Sequence, residues 1–344
     1  MRPALLVFGY AVAVAWSAPL LLARLTARGI RPQLGLAAWL TAMISVLASA
    51  VVALQFLIRA AVVSSSQLAE AFCRSVTGAA CASAVYRSAV FDLALGATAI
   101  GTALVAALLA WRYGRSVRLA RQRTRAHADA ARIIGSQLPG AARPGDGPGA
   151  GAAVVLDAPE PVAYCVPGRP GTIVVSSGAL AVLDPGQLSA VLAHEQAHLA
   201  GRHHLLITLT RALSVSFPAV PLFTRGPREV ARLAEMCADD AAARRSGGRT
   251  LVGALLAMHP PSATPPAAAQ PRVTPAAVAP AAALAATGCA VTARVQRLLE
   301  PPSRGRRVRH GLALITVTLL LALGSGLVTT FAGPLAAHTV TLVR

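Results

Sequence analysis

The chain has 344 residues, 55% hydrophobic and only 13% charged, with a mean hydropathy of +0.59; that is too apolar for one soluble domain of this length. The formal net charge is +19, carried by arginine with no lysine. A charge of that size suggests nucleic acid, but the arginines cluster beside apolar runs, which argues for a membrane surface and against direct nucleic-acid binding.

Four stretches reach the ~20 apolar residues that a helix needs to cross a bilayer: residues 4–23, 34–58, 89–111 and 311–331. The first could be read as a signal peptide, since Arg2 precedes an apolar run ending in small residues. Cleavage there would leave Arg24, Arg28 and Arg31 outside, against the positive-inside rule, so the reading is a retained helix. Arginines also crowd the segment after the third span (Arg112, Arg115, Arg118, Arg121, Arg123, Arg125) and the one before the fourth (Arg304, Arg306, Arg307, Arg309). The charge bias therefore predicts both termini outside and the long segment between spans three and four in the cytoplasm.

In chain order, the expected organisation is span one and its cytoplasmic link (1–33), span two (34–58), an outer loop (59–88), span three (89–111), a basic juxtamembrane helix (112–138) and a Gly/Pro linker (139–151). A folded domain with strands and helices (152–303) and the fourth span with a short outer tail (304–344) complete it. The outer loop holds Cys73 and Cys81. In an oxidising compartment they form a disulfide or remain two unrelated thiols. Cys165, Cys237 and Cys289 lack Cys-x-x-Cys spacing and read as small buried residues. The basic helix carries no aromatic residues between its arginines for base stacking, so it reads as an anchor on anionic headgroups.

Short strands are expected at residues 153–156, 162–166 and 172–176, with Pro/Gly-rich turns between them. An edge strand there could hold an extended peptide by strand addition or serve only as packing. Next comes Asp184-Pro-Gly-Gln-Leu-Ser-Ala-Val-Leu-Ala-His194-Glu195-Gln-Ala-His198-Leu-Ala-Gly201. Asp184 is a good N-cap, Pro185 suits the first helical position and Gln187 completes a capping box. Gly201 stops the helix. On such a helix His194 and His198 project from one face, one turn apart, and can hold one zinc ion per chain. Glu195 between them can polarise a water on the metal. His203 and His204 read as ordinary surface or loop residues, carried off the zinc face by the turn after Gly201. The apolar run 205–223 does not cross the membrane. Ligands on both sides of it forbid an odd number of crossings, and it is too short for two. It is expected to pack on the catalytic core or lie in the interface.

A third ligand is expected after that run, because a catalytic zinc site keeps three protein ligands and one position for water. Residues 228–245 read as a helix ended by Gly247 and Gly248. Glu235 is the candidate ligand, and Asp239, four residues on, can accept the free N–H of a zinc-bound imidazole. Glu229 competes but has no carboxylate four residues later; the bland alternative pairs Glu235 with Arg228 or Arg232. Residues 258–286 are a Pro/Ala-rich loop.

His-Glu-x-x-His followed by Glu-x-x-x-Asp resembles the gluzincin membrane metallopeptidases, of both the HtpX/CAAX-protease type and the BlaR/MecR type. The lead-in Ile173-Val-Val-Ser-Ser-Gly-Ala-Leu180 and the later Arg294-Val-Gln-Arg-Leu-Leu299 look like both. Three spans before the domain and one after look like the BlaR/MecR type. The resemblance implies a protein substrate, with a BlaI-like winged-helix repressor as one candidate. It departs in lacking the external sensor domain of those receptors, because about a dozen residues follow Phe331. The fold expected is an α-helical membrane protein with four transmembrane helices and a cytoplasmic α+β zincin-like metallopeptidase domain, at the cell membrane. The function expected is endoproteolysis of a cytoplasmic protein in signalling. The competing readings are membrane quality control and a non-proteolytic, zinc-stabilised signalling or scaffold protein.

Overall fold

We describe the protein from a computed structural model, which covers residues 2–77, 93, 96–97, 99–119, 122, 135–138, 152–168, 171–259 and 288–341. Its elements are α1 (Arg2–Thr26), α2 (Pro32–Thr77), α3 (residues 99–119), β1 (Ser136–Gln137), β2 (Ala152–Leu156), β3 (Ala163–Val166) and β4 (Thr172–Ser176). Then follow α4 (Ser177–Val182), α5 (Pro185–Ala200), α6 (His203–Ser216), α7 (Pro221–Ser246), α8 (Gly248–Met258), α9 (Gly288–Leu299) and α10 (Arg304–Thr341).

Among the described residues, three helices are long and apolar enough to cross a membrane: Pro3–Thr26, Pro32–Ile58 and Arg304–Gly324. Part of the third expected span, 89–111, lies outside the described residues, and its second half is helical in α3. Gln55 on α2 donates to Thr102 Oγ1 on α3 at 2.9 Å. Helix α2 does not stop where its apolar run ends. It continues to Thr77, through the first part of the expected outer loop, because no Gly or Pro interrupts residues 36–77. Cys81 lies outside the described residues, and so does the expected pairing with Cys73.

Helices α1, α2 and α10 pack against one another, with Val14, Leu22, Trp39, Met43 and Leu314 buried between them. Their other faces expose Leu6, Trp16, Leu20, Leu312 and Leu320, the surface a bilayer would cover. The apolar run 205–223 packs in part on the catalytic core, since α6 lies against α7, the helix that carries Glu235, and also touches α5. It forms most of α6, a turn and the start of α7, and it also buries Leu213, Leu222 and Phe223 in the same core as the spans. A Cβ on Gly226 would run into the Met43 side chain. Met43 lies about 17 Å along α2 from Pro32 at 1.5 Å per residue, so α7 starts beside the body of that helix. It then climbs back along α2 until Met236 meets Gly29 in the α1–α2 link. The link is held there by the Arg232 guanidinium, which donates to the carbonyls of Thr26 (3.1 Å) and Ala27 (3.3 Å). Arg297 of α9 donates to the Gly29 carbonyl at 2.8 Å.

The sheet has the order β1-β2-β4-β3, with β2 and β4 parallel and the other pairs antiparallel. The period of two divides its side chains cleanly. Ala153, Ala163, Cys165, Ile173 and Val175 face the cluster that includes Val191 and Leu188 of α5. Val154, Tyr164, Val166 and Val174 pack on the opposite face. Strand β3 is an edge, and it lies against α5. Helix α5 begins as its sequence dictates. Asp184 Oδ1 accepts from Gln187 N at 2.8 Å, and the Gln187 side chain accepts from Asp184 N at 3.2 Å.

Candidate metal centre

Helices α5 and α7 cross so that His194, His198 and Glu235 converge, with one ligand-capable atom of each lying within 4.8 Å of the others. Nε2 of His194 and Nε2 of His198 are 3.2 Å apart. Glu235 Oε2 is 3.5 Å from the first ring and Oε1 is 3.4 Å from the second. Ligands about 2.05 Å from a tetrahedral zinc stand about 3.3–3.4 Å from each other. The three separations match that spacing, and the donor set of two imidazoles and one carboxylate is one that zinc takes.

The other side of each ring is also occupied. His194 Nδ1 lies 3.2 Å from Asp239 Oδ1, close but off the line of a directed hydrogen bond. His198 Nδ1 lies 3.0 Å from His203 Nδ1. Asp239 is fully buried and bound in a fork by Arg294 of α9: Nε donates to Oδ2 at 2.8 Å and an Nη to Oδ1 at 2.6 Å. The remaining Nη of Arg294 stands 3.2 Å from Glu235 Oε2. One buried guanidinium thus organises both acids of the Glu-x-x-x-Asp pair. Asp240, on another face, pairs with Arg297 at 2.7 Å. Glu229 pairs with Arg232 at 2.7 Å and stands apart from the cluster.

These contacts set the protonation of the site. Burial alone would raise the carboxyls of Glu235 and Asp239. The neighbouring His194 imidazole and the Arg294 charge outweigh it and hold both well below the usual range. His194 is raised: burial opposes its charge, but Asp239 and Glu235 more than reverse this. His198 is lowered by burial and by the charge on His194. Glu195 projects beside the thiol of Cys165 on β3. Burial, with a smaller push from Glu235, raises its carboxyl against the pull of His194. A carboxyl raised toward neutrality is suited to taking up and returning a proton.

Three residues of this arrangement escaped the sequence reading. His203, expected as an ordinary surface or loop residue, is buried and touches His198. Cys165 was expected to be only a small buried residue, but it adjoins Glu195. Arg294 was noted only as part of a resemblance. Its spacing of three from Arg297 on one helix was the available signal, and the acids it meets are 55 residues away.

A peptidase is the class this donor set defines, with a carboxylate, Glu195, between two converging imidazoles and a strand, β3, that is outermost among the described strands alongside. The family model described as Peptidase family M48 matches residues 124–225, a stretch that holds the sheet, α4, α5, α6 and the first turn of α7. That is a family of zinc metallopeptidases, and the enzymatic character of the chain is that of a metalloendopeptidase. The matched stretch includes His194, Glu195 and His198 and ends before Glu235, Asp239 and Arg294. No curated protein and no solved structure matches the chain.

Proposed function

We propose that the chain is a membrane-embedded zinc endopeptidase whose site faces the cytoplasm and cuts a cytoplasmic protein. The observation that carries this is the convergence of His194, His198 and Glu235 at the spacing of one tetrahedral ion, with Glu195 beside it. A zinc ion held by those three residues supplies a Lewis acid for a scissile carbonyl and for the attacking water. Glu195 takes the proton of that water and returns it to the leaving amine. Asp239 fixes the orientation of the His194 ring, and Arg294 fixes Asp239 and Glu235 in turn. The edge of β3, outermost among the described strands, offers backbone groups to an extended substrate passing in front of Glu195.

The cytoplasmic orientation rests on the arginine bias: Arg24, Arg28 and Arg31 before α2, and Arg304 to Arg309 at the start of α10. The four-span, BlaR/MecR-like plan makes a winged-helix repressor the substrate class in signalling. The M48 match favours a second reading, because it is not specific to repressor-cleaving receptors: a quality-control protease of broad substrate range. The metal assignment is tested by zinc content of the purified full chain. About one zinc per chain is expected, retained in Glu195→Gln and lost in His198→Ala and Glu235→Ala. Equal zinc in all four proteins would place the ion elsewhere.

A further inference from the structure

We infer that His203 is the positioning residue of the second zinc-ligand histidine: it accepts the Nδ1–H of His198 and so turns Nε2 of that ring toward the metal. The inference deepens the metalloprotease reading and rests on it. In the structure Nε2 of His198 faces Glu235 and His194, while its Nδ1 sits 3.0 Å from Nδ1 of His203. The two rings stand perpendicular, with centroids 4.8 Å apart. A neutral His198 ring that presents Nε2 as a lone pair carries its hydrogen on Nδ1. His203 must then accept at its own Nδ1 and carry its hydrogen on Nε2.

The backbone is shaped around this contact. Continued as a regular helix, α5 would place residue 203 five positions beyond His198, well round the cylinder from it. Instead α5 ends at Ala200, and α6 starts at His203 after a two-residue turn. Arg202 takes φ 48° and ψ 37° in that turn. It is the only non-glycine with positive φ among the described residues, at a cost of about 1–2 kcal/mol. Gly201 itself has φ −75°, so it is not there for a left-handed turn. A Cβ at Gly201 would stand 2.5 Å from His203 Nε2; glycine leaves the space the ring fills. A strained arginine and a bare glycine both serve to return a buried imidazole to the rear of His198. The two ligand rings are thus backed by different chemistry. His194 has a carboxylate, which adds negative charge, while His198 has a neutral acceptor, which orients the ring without adding any.

The test uses the full-length chain in detergent, with the zinc dissociation constant from chelator competition and the visible bands of the cobalt-substituted protein. His203→Leu should weaken zinc about 10–100-fold and shift the cobalt bands, while His203→Asn, whose Oδ1 replaces the accepting nitrogen, should stay within about threefold of wild type. Gly201→Ala is the second variant. It keeps His203 and normal backbone angles but displaces the ring, and it should weaken zinc in the same direction. His203→Leu binding zinc as tightly as wild type would overturn the inference, as would His203→Asn losing as much as His203→Leu. Unchanged affinity in Gly201→Ala would overturn it even if His203→Leu does not fold. Wild type that binds no zinc would instead overturn the reading on which the inference rests.

Discussion

Replacing Arg294 by Met isolates the ion cluster behind the metal centre. The methionine retains much of the apolar stem and removes the guanidinium. Asp239, fully buried, then loses two charge-assisted hydrogen bonds of 2.6 and 2.8 Å, and Glu235 loses a cation at 3.2 Å. What remains near Asp239 is the poorly aligned His194 Nδ1. Removing one partner of a buried pair costs about 3–5 kcal/mol, because the other charge is left without compensation. For a core of this size that lowers the melting temperature by about 6–20 °C. The assay is thermal unfolding of the detergent-solubilised full chain, wild type against Arg294→Met, Asp239→Asn and the double variant. Removing both charges should recover part of the loss, about 1–3 kcal/mol of coupling. A melting point for Arg294→Met within about 2 °C of wild type would refute the reasoning, since a buried carboxylate cannot lose its fork at so little cost.

Gly29 has φ +56°, and a Cβ there would meet the Met236 sulfur; Gly29→Ala should therefore cost about 2 kcal/mol or more, read as a lower melting point. An unchanged melting point would show that the α1–α2 link is not held as described. Stripping zinc with a chelator should lower the melting temperature of wild type, since a ligand held at about a thousand times its dissociation constant adds about 4 kcal/mol. The same chelator should leave Glu235→Ala nearly unmoved; an equal shift in both would put the stabilising ion elsewhere. Ser303, exposed just before the Arg304 cluster, tests orientation in a Cys73→Ser, Cys81→Ser background. Ser303→Cys should react with an impermeant maleimide only after permeabilisation, and labelling of intact cells would reverse the topology.

What the sequence made legible was local. The cap of α5 follows from Asp184, Pro185 and Gln187 alone, and the shared face of His194 and His198 follows from a spacing of four. The shared face of Glu235 and Asp239 on α7 was readable for the same reason, on a helix with few competing carboxylates. The packing of the run 205–223 on the catalytic core was among the expectations, but its burial against the apolar helices α1 and α2 was not, because apolar periodicity does not say which apolar surface a run meets. The expected span 34–58 coincides with the apolar part of α2, but the helix runs on to Thr77, because hydropathy reports apolar length whereas helicity depends on the absence of Gly and Pro. Arg294 and His203 were illegible for opposite reasons. The first acts across 55 residues. The second is five residues from its partner, but reaches it only through a left-handed Arg202 that helical periodicity does not anticipate.

The central claim is that Glu195 serves peptide-bond hydrolysis beside a zinc held by His194, His198 and Glu235. The most direct measurement compares wild type with Glu195→Gln in cells that normally make the protein, by quantitative proteomics of full-length proteins and new N-termini, this chain included. The account predicts a defined cut in one or a few cytoplasmic proteins, present in wild type and absent in the variant. Accumulation of many membrane proteins in the variant would move the account to quality control. Identical N-termini in both strains, with zinc bound in both proteins, would contradict it and leave a zinc-stabilised scaffold.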